Sequence, residues 1–296
     1  MRTVLYLLSH PPHVPYLVCS MRSLRRHYGG PVRVHAWRES HDLVKRVCSD
    51  PVLDAECVRS EPVYRGKNDQ FIAKITLIKS LTRGDSYLYL DADTTVHGNL
   101  GPLFQAAERY GFCATQFNNW TTAGGRARGR VESLREFPLI PSEWIDAALA
   151  TPWPSVNGGV WAALPESPVL PVWHEWAFFA SFPRHTFIAD EKVLHILQPR
   201  FVPDGRMTVL EGGAWNCSPI FQPLELKDED VVIRHFHGDA NTRMAKSERG
   251  CRLWWPTFKE CWENDIGNVR EWVGRCGNKY LRRRFAEEGI GWPGDG

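Results

Sequence analysis

The sequence predicts an α/β protein with a mostly parallel sheet flanked by helices and a helical C-terminal extension. Short apolar runs alternate with amphipathic segments through the first half of the chain, which is the pattern of consecutive strand–helix units. The 296 residues are 43% hydrophobic, enough to bury one large core or two small ones, which excludes a mainly disordered chain. The net charge of +2 indicates no overall attraction to nucleic acid or to a membrane surface.

The elements of the first half follow in order. Apolar or alternating runs predict strands at residues 4–8, 32–37, 56–64, 87–90 and 111–116. Helical spacing of apolar residues predicts helices at residues 16–28, 44–47, 69–81 and 103–110. Because ligands of parallel sheets bind beyond the carboxyl ends of the strands, polar residues at those ends are the first candidates for a site.

The second half is less regular. Residues 118–130 contain three glycines and three arginines, which is typical of a long mobile loop with a function; an ordinary exposed loop is the alternative. An aromatic helix is predicted at residues 171–179, and a last buried strand at residues 231–233.

From about residue 246 onward, tryptophans alternate with basic residues. This change of composition divides the chain into a main domain, residues 1–245, and an extension, residues 246–296, that we expect to pack on it.

Cysteine and hydropathy patterns predict a cytoplasmic protein. None of the eight cysteines forms a CxxC pair, which argues against a zinc ribbon or a redox motif. The apolar run at residues 4–8 is too short for a signal-peptide core, so we expect mostly free thiols in a reducing compartment. The longest uncharged stretch, residues 3–21, contains three prolines and cannot be a membrane-spanning helix, although a peripheral location at a membrane stays open.

Two carboxylates follow one of the predicted buried strands. Asp91 and Asp93 come directly after residues 87–90, so both side chains can turn toward one point. Such oxygen ligands suit Mg²⁺ or Mn²⁺, which often share them with substrate phosphates. His235, after the last predicted strand, favours Mn²⁺ or a later metal over Ca²⁺. The alternatives are a solvated turn or helix N-cap for the aspartates, and a structural histidine at a strand end.

Four segments of the sequence, taken in order, resemble one family. They read YLYLDADTTVHGNLGPLF (87–104), VNGGVWAA (156–163), ADEKVLHIL (189–197) and VIRHFHG (232–238). The ordered set is similar to the GT-A glycosyltransferases, and most of all to the retaining family that includes glycogenin and the lipopolysaccharide galactosyltransferases. The resemblance implies a GT-A catalytic domain over residues 1–245 and metal-dependent transfer of a sugar, with retention, from a nucleotide-sugar donor, by default a UDP-sugar.

The resemblance also implies roles for single residues. Asp91 is expected to contact the ribose and the metal, whereas Asp93 and His235 are expected to bind the Mn²⁺ (or Mg²⁺) ion that bridges the donor diphosphate. The remaining donor contacts are expected beside the nucleotide base, at Ser9 and His10, and beside the donor sugar, at Asn157 and Gly158.

Lys74 lies on the inward face of the predicted helix over residues 69–81. A charged residue there usually has a partner, and a donor phosphate, Asp91 or Asp93 would serve. In the alternative interpretation the aliphatic stem of Lys74 follows the edge of the core while its ammonium group reaches water.

Asp190 and Glu191 depart from the glycogenin pattern, in which the second position is usually Gln. Asp-Glu-x-x-Leu is similar to the segment of the α-1,3-galactosyltransferases and blood-group enzymes that presents Glu as a candidate nucleophile. The resemblance therefore implies Glu191 as nucleophile or ion-pair stabiliser, and Asp190 as a ligand of sugar hydroxyls. The alternative is a helix N-terminus that favours acidic residues.

A second departure follows His235. The family's late motif usually continues to a lysine that holds the diphosphate, and the matching position here is Asn241. Arg243 or Lys246 is expected to supply the positive charge, or the metal supplies it alone. Arg243 is preferred because it can bind phosphate with two parallel hydrogen bonds.

The extension has three interpretations. Its tryptophans pack it onto the main domain, or they form a peripheral membrane contact together with basic residues, or they form an acceptor surface for a polymer or nucleic acid. Residues 124–130 are expected to close over the acceptor. The acceptor itself is not predicted: saccharide, protein, lipid and modified nucleobase remain open. The five tryptophans concerned are Trp254, Trp255, Trp262, Trp272 and Trp292.

Two rival functions remain. A nucleotidyltransferase would share the sheet and the metal carboxylates, but it would usually carry a glycine-rich loop where this chain has His10, Pro11 and Pro12. A protein of the same fold that binds a nucleotide sugar or glycan without turnover is the other alternative.

Overall fold

In the part of the chain that the structure describes, nine strands form where apolar runs alternate with turns. The computed structural model describes residues 1–61, 69–77, 81–181, 188–219, 225–236, 248–276 and 279–293. Within these residues the strands are β1 (Arg2–Leu8), β2 (Val32–Trp37), β3 (Glu56–Ser60), β4 (Ser86–Leu90), β5 (Thr94–Val96), β6 (Phe112–Thr121), β7 (Pro154–Ala163), β8 (Thr208–Leu210) and β9 (Ile233–His235).

Seven of these strands form one sheet in the order β3-β2-β1-β4-β7-β6-β8. The pairs among β1 to β4 are parallel, and so is the pair of β6 and β8, whereas β7 runs antiparallel to both of its neighbours. The prediction of a mostly parallel α/β sheet is confirmed. The last predicted strand differs from expectation, because β9 pairs with β5 in a separate two-stranded sheet.

The helices cover both faces of the sheet. Within the described residues they are α1 (Val14–Arg25), α2 (Arg38–Cys48), α3 (Asp69–Thr76), α4 (Gly101–Tyr110), α5 (Gly125–Glu132), α6 (Ser142–Ala150), α7 (Val169–Ser181), α8 (Ala189–Phe201), α9 (Glu248–Glu263), α10 (Val269–Cys276) and α11 (Lys279–Glu287).

Strand β1 shows how one strand serves two cores. Its side chains alternate, so that Val4 and Tyr6 pack with α1 and the C-terminal helices, while Leu5 and Leu7 pack with α3, α7 and α8. The sheet is therefore buried on both faces, as a parallel sheet requires, and its strand ends are the part left accessible for a site.

The prediction of a loop over residues 118–130 is wrong. Strand β6 continues to Thr121, and helix α5 begins at Gly125 after a glycine in extended conformation. Ala127 and Val131 are four residues apart and fully buried, which gives α5 an apolar stripe and keeps its arginines on the other faces. The three glycines concealed this stripe from the sequence pattern.

The C-terminal helices pack on α1. The Trp254 ring lies 5.4 Å from that of Tyr16, and Arg22 pairs with Glu260 at 2.6 Å. Trp254, Trp255 and Trp272 are buried, and Trp262 and Trp292 surround Phe285. Because these rings point into the protein, the packing interpretation accounts for them and the membrane-contact interpretation is not supported. The boundary placed between residues 245 and 246 lies outside the described residues.

Two further properties concern the described part of the chain. The six cysteines whose side chains are described form no disulfide with one another. None of the helices there has the length and apolarity needed to cross a lipid bilayer.

Candidate active site at the carboxyl ends of the strands

Asp91, Asp93 and His235, called the Asp91 cluster below, meet where β4 ends. The Asp91 N–H donates to Gly159 O at 2.8 Å, and the Thr94 N–H and hydroxyl both donate to Asp91 O, which makes a tight turn. Strand β5 starts immediately after this turn and pairs with β9 so that Thr94 lies opposite His235. This register carries the imidazole back beside the two aspartates.

The geometry of the Asp91 cluster suits a divalent cation. His235 Nε2 lies 3.2 Å from Asp93 Oδ1 and 3.5 Å from Asp91 Oδ2, and one ligand atom of each residue falls within 4.8 Å of the others. Asp93 Oδ2 is buried and has no hydrogen-bond partner among the described residues. A hard ion would satisfy this oxygen, so the donor set fits Mn²⁺ or Mg²⁺.

The pKa values in this cluster shift in opposite directions. Burial alone would lower the pKa of His235, but Asp93 and Asp91 raise it above its usual value. Burial alone would raise the pKa of Asp93, but the nearby His235 holds it below its usual value. The cluster thus stabilises positive charge at its centre.

Two adjacent glycines of β7 make room for the polar side chains around them. A Cβ at Gly159 would collide with His235 and would lie 2.5 Å from Asp91 Oδ2. A Cβ at Gly158 would collide with Asp190 and would lie 3.0 Å from Lys74 Nζ. Neighbouring residues of a strand point to opposite faces, so the two glycines admit two different groups of side chains.

The second group, called the Asp190 cluster below, consists of Lys74, Arg130, Asp190 and Glu191. Lys74 Nζ lies 2.7 Å from Asp190 Oδ2 and 4.0 Å from Asp91 Oδ2, so it connects the two clusters. Glu191 Oε1 accepts a hydrogen bond from Arg130, and its Oε2 lies 3.4 Å from the Asn157 amide nitrogen. Helix α8 begins at Ala189, which places both carboxylates in its first turn.

Lys74 has a partner that the sequence did not indicate. Only 4% of the residue is exposed, which contradicts the interpretation that its ammonium group reaches water. Burial would lower the pKa of Lys74, but Asp190 and Asp91 raise it above the usual value, so the ammonium stays charged. Sequence reasoning named Asp91 and Asp93 as candidates; the close partner is Asp190.

Glu191 has the most unusual carboxyl group of the site. Burial raises its pKa to about 7, with Asp190 adding to the rise and with Arg130 and Lys74 opposing it. A buried carboxyl whose pKa lies near neutrality is a candidate for acid–base or nucleophilic work.

The residues expected at the nucleotide lie at the same edge of the sheet. Ser9 follows β1, which pairs in parallel with β4, and it is buried. His10 is exposed, and its ring packs edge-on against His13 and Trp37 at centroid distances of 6.0 and 6.1 Å. Asn241, Arg243 and Lys246 lie outside the described residues.

Sequence reasoning missed three residues of the site. Arg130 was assigned to a loop, although its place next to the buried Ala127–Val131 stripe would have put it beside the core. Asn216 Oδ1 lies 2.9 Å from His235 Nδ1 and forms a hydrogen bond with it. Asn216 belongs to an irregular segment that carries no motif. His195 Nδ1 bonds to Glu191 O at 2.7 Å, and burial lowers its pKa to about 4, so it stays neutral and supports the first turns of α8.

Comparison with known proteins finds similarity in structure alone. No family model and no curated protein sequence matches the chain. Mouse xyloside xylosyltransferase 1 aligns with a TM-score of 0.54 and 13% identity over 82% of this chain and 99% of its own. The galactosyltransferase LgtC, solved with donor and acceptor sugar analogues, aligns with a TM-score of 0.50 and 14% identity over 86% and 95%.

The glycosyltransferase GlyE of Streptococcus pneumoniae TIGR4 aligns with a TM-score of 0.50 and 15% identity. The alignment covers 90% of this chain but 64% of GlyE. All three similar proteins are glycosyltransferases of the GT-A type. The chain therefore has the GT-A fold.

Proposed function

We propose that this protein is a metal-dependent glycosyltransferase that moves a sugar from a nucleotide-sugar donor, by default a UDP-sugar, to an acceptor with retention. One observation carries the proposal: the Asp91 cluster and the Asp190 cluster adjoin at the carboxyl ends of the strands, linked by Lys74. The first has the ligand set of a divalent ion, and the second has a buried carboxylate of raised pKa.

In this proposal Asp91, Asp93 and His235 hold Mn²⁺ or Mg²⁺. When bound, the ion acts as a Lewis acid that neutralises charge on the departing nucleoside diphosphate. Asp91 also contacts the ribose, Ser9 and His10 lie beside the base, and Arg243 or Lys246 grips the diphosphate.

The Asp190 cluster would hold the donor sugar. The absence of a side chain at Gly158 lets Asp190 reach the β7 backbone, and Asn157 bonds to Glu191 from the same strand. Lys74 orients Asp190 toward the sugar hydroxyls, and Arg130 keeps a positive charge beside Glu191.

Glu191 acts as the nucleophile. Its carboxylate oxygen forms a bond to the anomeric carbon as the bond to the diphosphate oxygen breaks, and the nucleoside diphosphate leaves with that electron pair. The acceptor hydroxyl then attacks the same carbon, Glu191 leaves as a carboxylate, and the hydroxyl proton passes to the diphosphate. Two inversions give net retention.

The test is metal-dependent release of nucleoside diphosphate. A panel of UDP-sugars is incubated with the protein in Mn²⁺ and in EDTA, first without and then with saccharide, peptide, lipid and nucleoside acceptors. We expect release only with Mn²⁺, and a loss of at least about 100-fold in Glu191→Gln at unchanged donor affinity. The matched control is Glu143→Gln, at an exposed carboxylate on α6.

Two other outcomes would contradict the proposal. Donor binding without release, in every combination of sugar and acceptor, would favour a binding protein of the same fold. Release of pyrophosphate from a nucleoside triphosphate and a sugar phosphate would favour a nucleotidyltransferase.

A further inference from the structure

Asn216 contacts His235, one of the proposed metal ligands, on the side of the ring opposite Asp91 and Asp93. It lies between β8 and β9, is 0% exposed, and bonds to the ring nitrogen of His235 that faces away from Asp91 and Asp93. Its amide nitrogen lies 3.0 Å from Thr115 Oγ1 and 3.5 Å from Asn157 Oδ1. Every polar atom of this amide is thus in contact with a polar group of the site or its support.

These hydrogen bonds form a series that runs from Thr115 through Asn216 to His235, and the direction of each bond follows from the one that Thr115 makes. Thr115 Oγ1 lies 2.7 Å from Val160 O, and because a carbonyl can only accept, the hydroxyl must donate its proton there. The oxygen of Thr115 then offers lone pairs to Asn216, which has to present its NH₂ group to them. The carbonyl oxygen of Asn216 is left facing His235.

The orientation of Asn216 determines which nitrogen of the His235 imidazole carries the proton. Since Asn216 Oδ1 only accepts, His235 Nδ1 must carry a proton, and the lone pair of the neutral ring must reside on Nε2. Nε2 is the atom that points at Asp91 and Asp93. The ring therefore presents to the two carboxylates the one nitrogen whose lone pair a metal ion can take up, which is the arrangement a metal ligand needs.

Two local features of the fold position the residues of this hydrogen-bond series. The pairing of β6 with β7 shifts register between Ala114 and Gln116, where the extra residues lie on β7 opposite Thr115, as bulges beside sites commonly do. On the other side, the N–H of Cys217 donates to Ile233 O and the N–H of His235 donates to Cys217 O, which ties the residue after Asn216 to β9.

We propose that Asn216 is a positioning residue that fixes the tautomer and orientation of His235 for the metal, with Thr115 setting the orientation of Asn216. Outer hydrogen bonds of this kind typically change metal affinity by about 10–100-fold. The inference rests on the proposed metal site, and it adds to that site two residues that do not themselves touch the ion.

The test measures Mn²⁺ affinity, by the electron paramagnetic resonance signal of free Mn²⁺, in the full chain without donor. Asn216→Leu removes the acceptor and should weaken binding by about 10–100-fold. Asn216→Asp keeps an acceptor for His235 Nδ1 and should bind within a few-fold of wild type, even where its new carboxylate oxygen, facing Thr115, lowers the melting temperature. Thr115→Val should give an intermediate loss.

The matched control is Gln198→Met, which removes a buried amide of α8 that bonds to Pro154 O and not to the metal site. It should lower stability without changing Mn²⁺ affinity. A second readout uses no metal: ¹⁵N shifts of the His235 ring, at a pH where the imidazole is neutral, should show Nδ1–H in wild type and a mixture of tautomers in Asn216→Leu.

The outcomes separate this inference from the proposed function. If wild type binds no Mn²⁺, the metal site fails and the positioning role fails with it. If wild type binds Mn²⁺ and Asn216→Leu binds equally well, only the positioning role is overturned. Equal losses in Asn216→Leu, Asn216→Asp and Gln198→Met would mean that Asn216 acts through stability alone, which also overturns it.

Discussion

The Asp91 cluster and the Asp190 cluster each contain two carboxylates, but their charges are compensated in different ways. In the Asp190 cluster every carboxylate has its own cation, Lys74 for Asp190 and Arg130 for Glu191. In the Asp91 cluster two carboxylates share one imidazole, and Lys74, 4.0 Å from Asp91, is already paired with Asp190.

This difference in charge compensation determines which cluster can accept a cation. A dication entering the Asp190 cluster would have to displace two positive charges, those of the buried Lys74 and of the partly exposed Arg130, whereas one entering the Asp91 cluster would meet an excess of carboxylate. The adjacent glycines Gly158 and Gly159 open β7 to both clusters, so local crowding does not distinguish them. The degree of charge compensation does distinguish the two clusters.

The largest effect is expected from breaking the pair of Lys74 with Asp190. Lys74→Met leaves a buried carboxylate without its cation and should cost about 3–5 kcal/mol of unfolding free energy, measured by urea denaturation. Arg128→Met, which breaks the exposed pair with Glu132, is the control and should cost at most about 1 kcal/mol. A loss as small as the control's would show that Asp190 does not depend on Lys74.

The second prediction concerns the pH dependence of stability. The pKa of Glu191 is raised from 4.5 to about 7, so its protonated form favours the folded state below pH 4.5, and that contribution is lost as the pH rises to 7. The rise corresponds to about 3 kcal/mol. Glu191→Gln should therefore be more stable than wild type at pH 8 by up to that amount, relative to their difference at pH 4.5.

Urea denaturation of both proteins at pH 4.5 and pH 8 checks the second prediction. A difference that does not change with pH would contradict the raised pKa. Glu143→Gln, at an exposed position, should show no such divergence.

The third prediction contrasts the clusters directly through metal binding. Mn²⁺ at 100 times its dissociation constant should stabilise wild type by about 2.7 kcal/mol, seen as a rise in melting temperature of roughly 5 °C. Asp93→Asn should abolish this rise, whereas Asp190→Asn should keep it despite a lower starting stability. A rise that survives in Asp93→Asn but not in Asp190→Asn would reverse the assignment.

There is a physical reason why the sequence predicted the fold and the grouping of Asp91, Asp93 and His235. Buried strands and amphipathic helices leave periodic patterns, and Asp91 and Asp93 follow such a strand at once, so their position is local information. His235 was recognisable because it also ends a strand. The four segments that resemble the GT-A glycosyltransferases carry these same residues.

Lys74, Asp190 and Glu191 were recognisable as candidates, but their pairing, and the part played by Arg130, could not be predicted because both depend on contacts between distant segments. Arg130 and Glu191 are 61 residues apart, and the helix that carries Arg130 was hidden by its glycines. Asn216 reaches His235 from an irregular segment between two short strands, where no periodicity exists to interpret. Long-range pairing of polar groups is settled by packing, and packing has no simple signature in one sequence.

The smallest effect is expected from Arg130, because it opposes the raised pKa of Glu191 without cancelling it. Arg130→Met should raise that pKa further, so at pH 7 a smaller fraction of Glu191 is ionised and kcat/KM for metal-dependent donor cleavage should fall several-fold. The loss should shrink as the pH rises and the carboxylate ionises. Arg130→Lys, which keeps the charge, should have a kcat/KM close to that of wild type. The control Arg128→Met should have the same kcat/KM as wild type. A loss of kcat/KM in Arg130→Met that is constant with pH would mean that Arg130 positions Glu191 or binds substrate and does not act by keeping Glu191 ionised. The shape of the pH profile therefore decides between these roles.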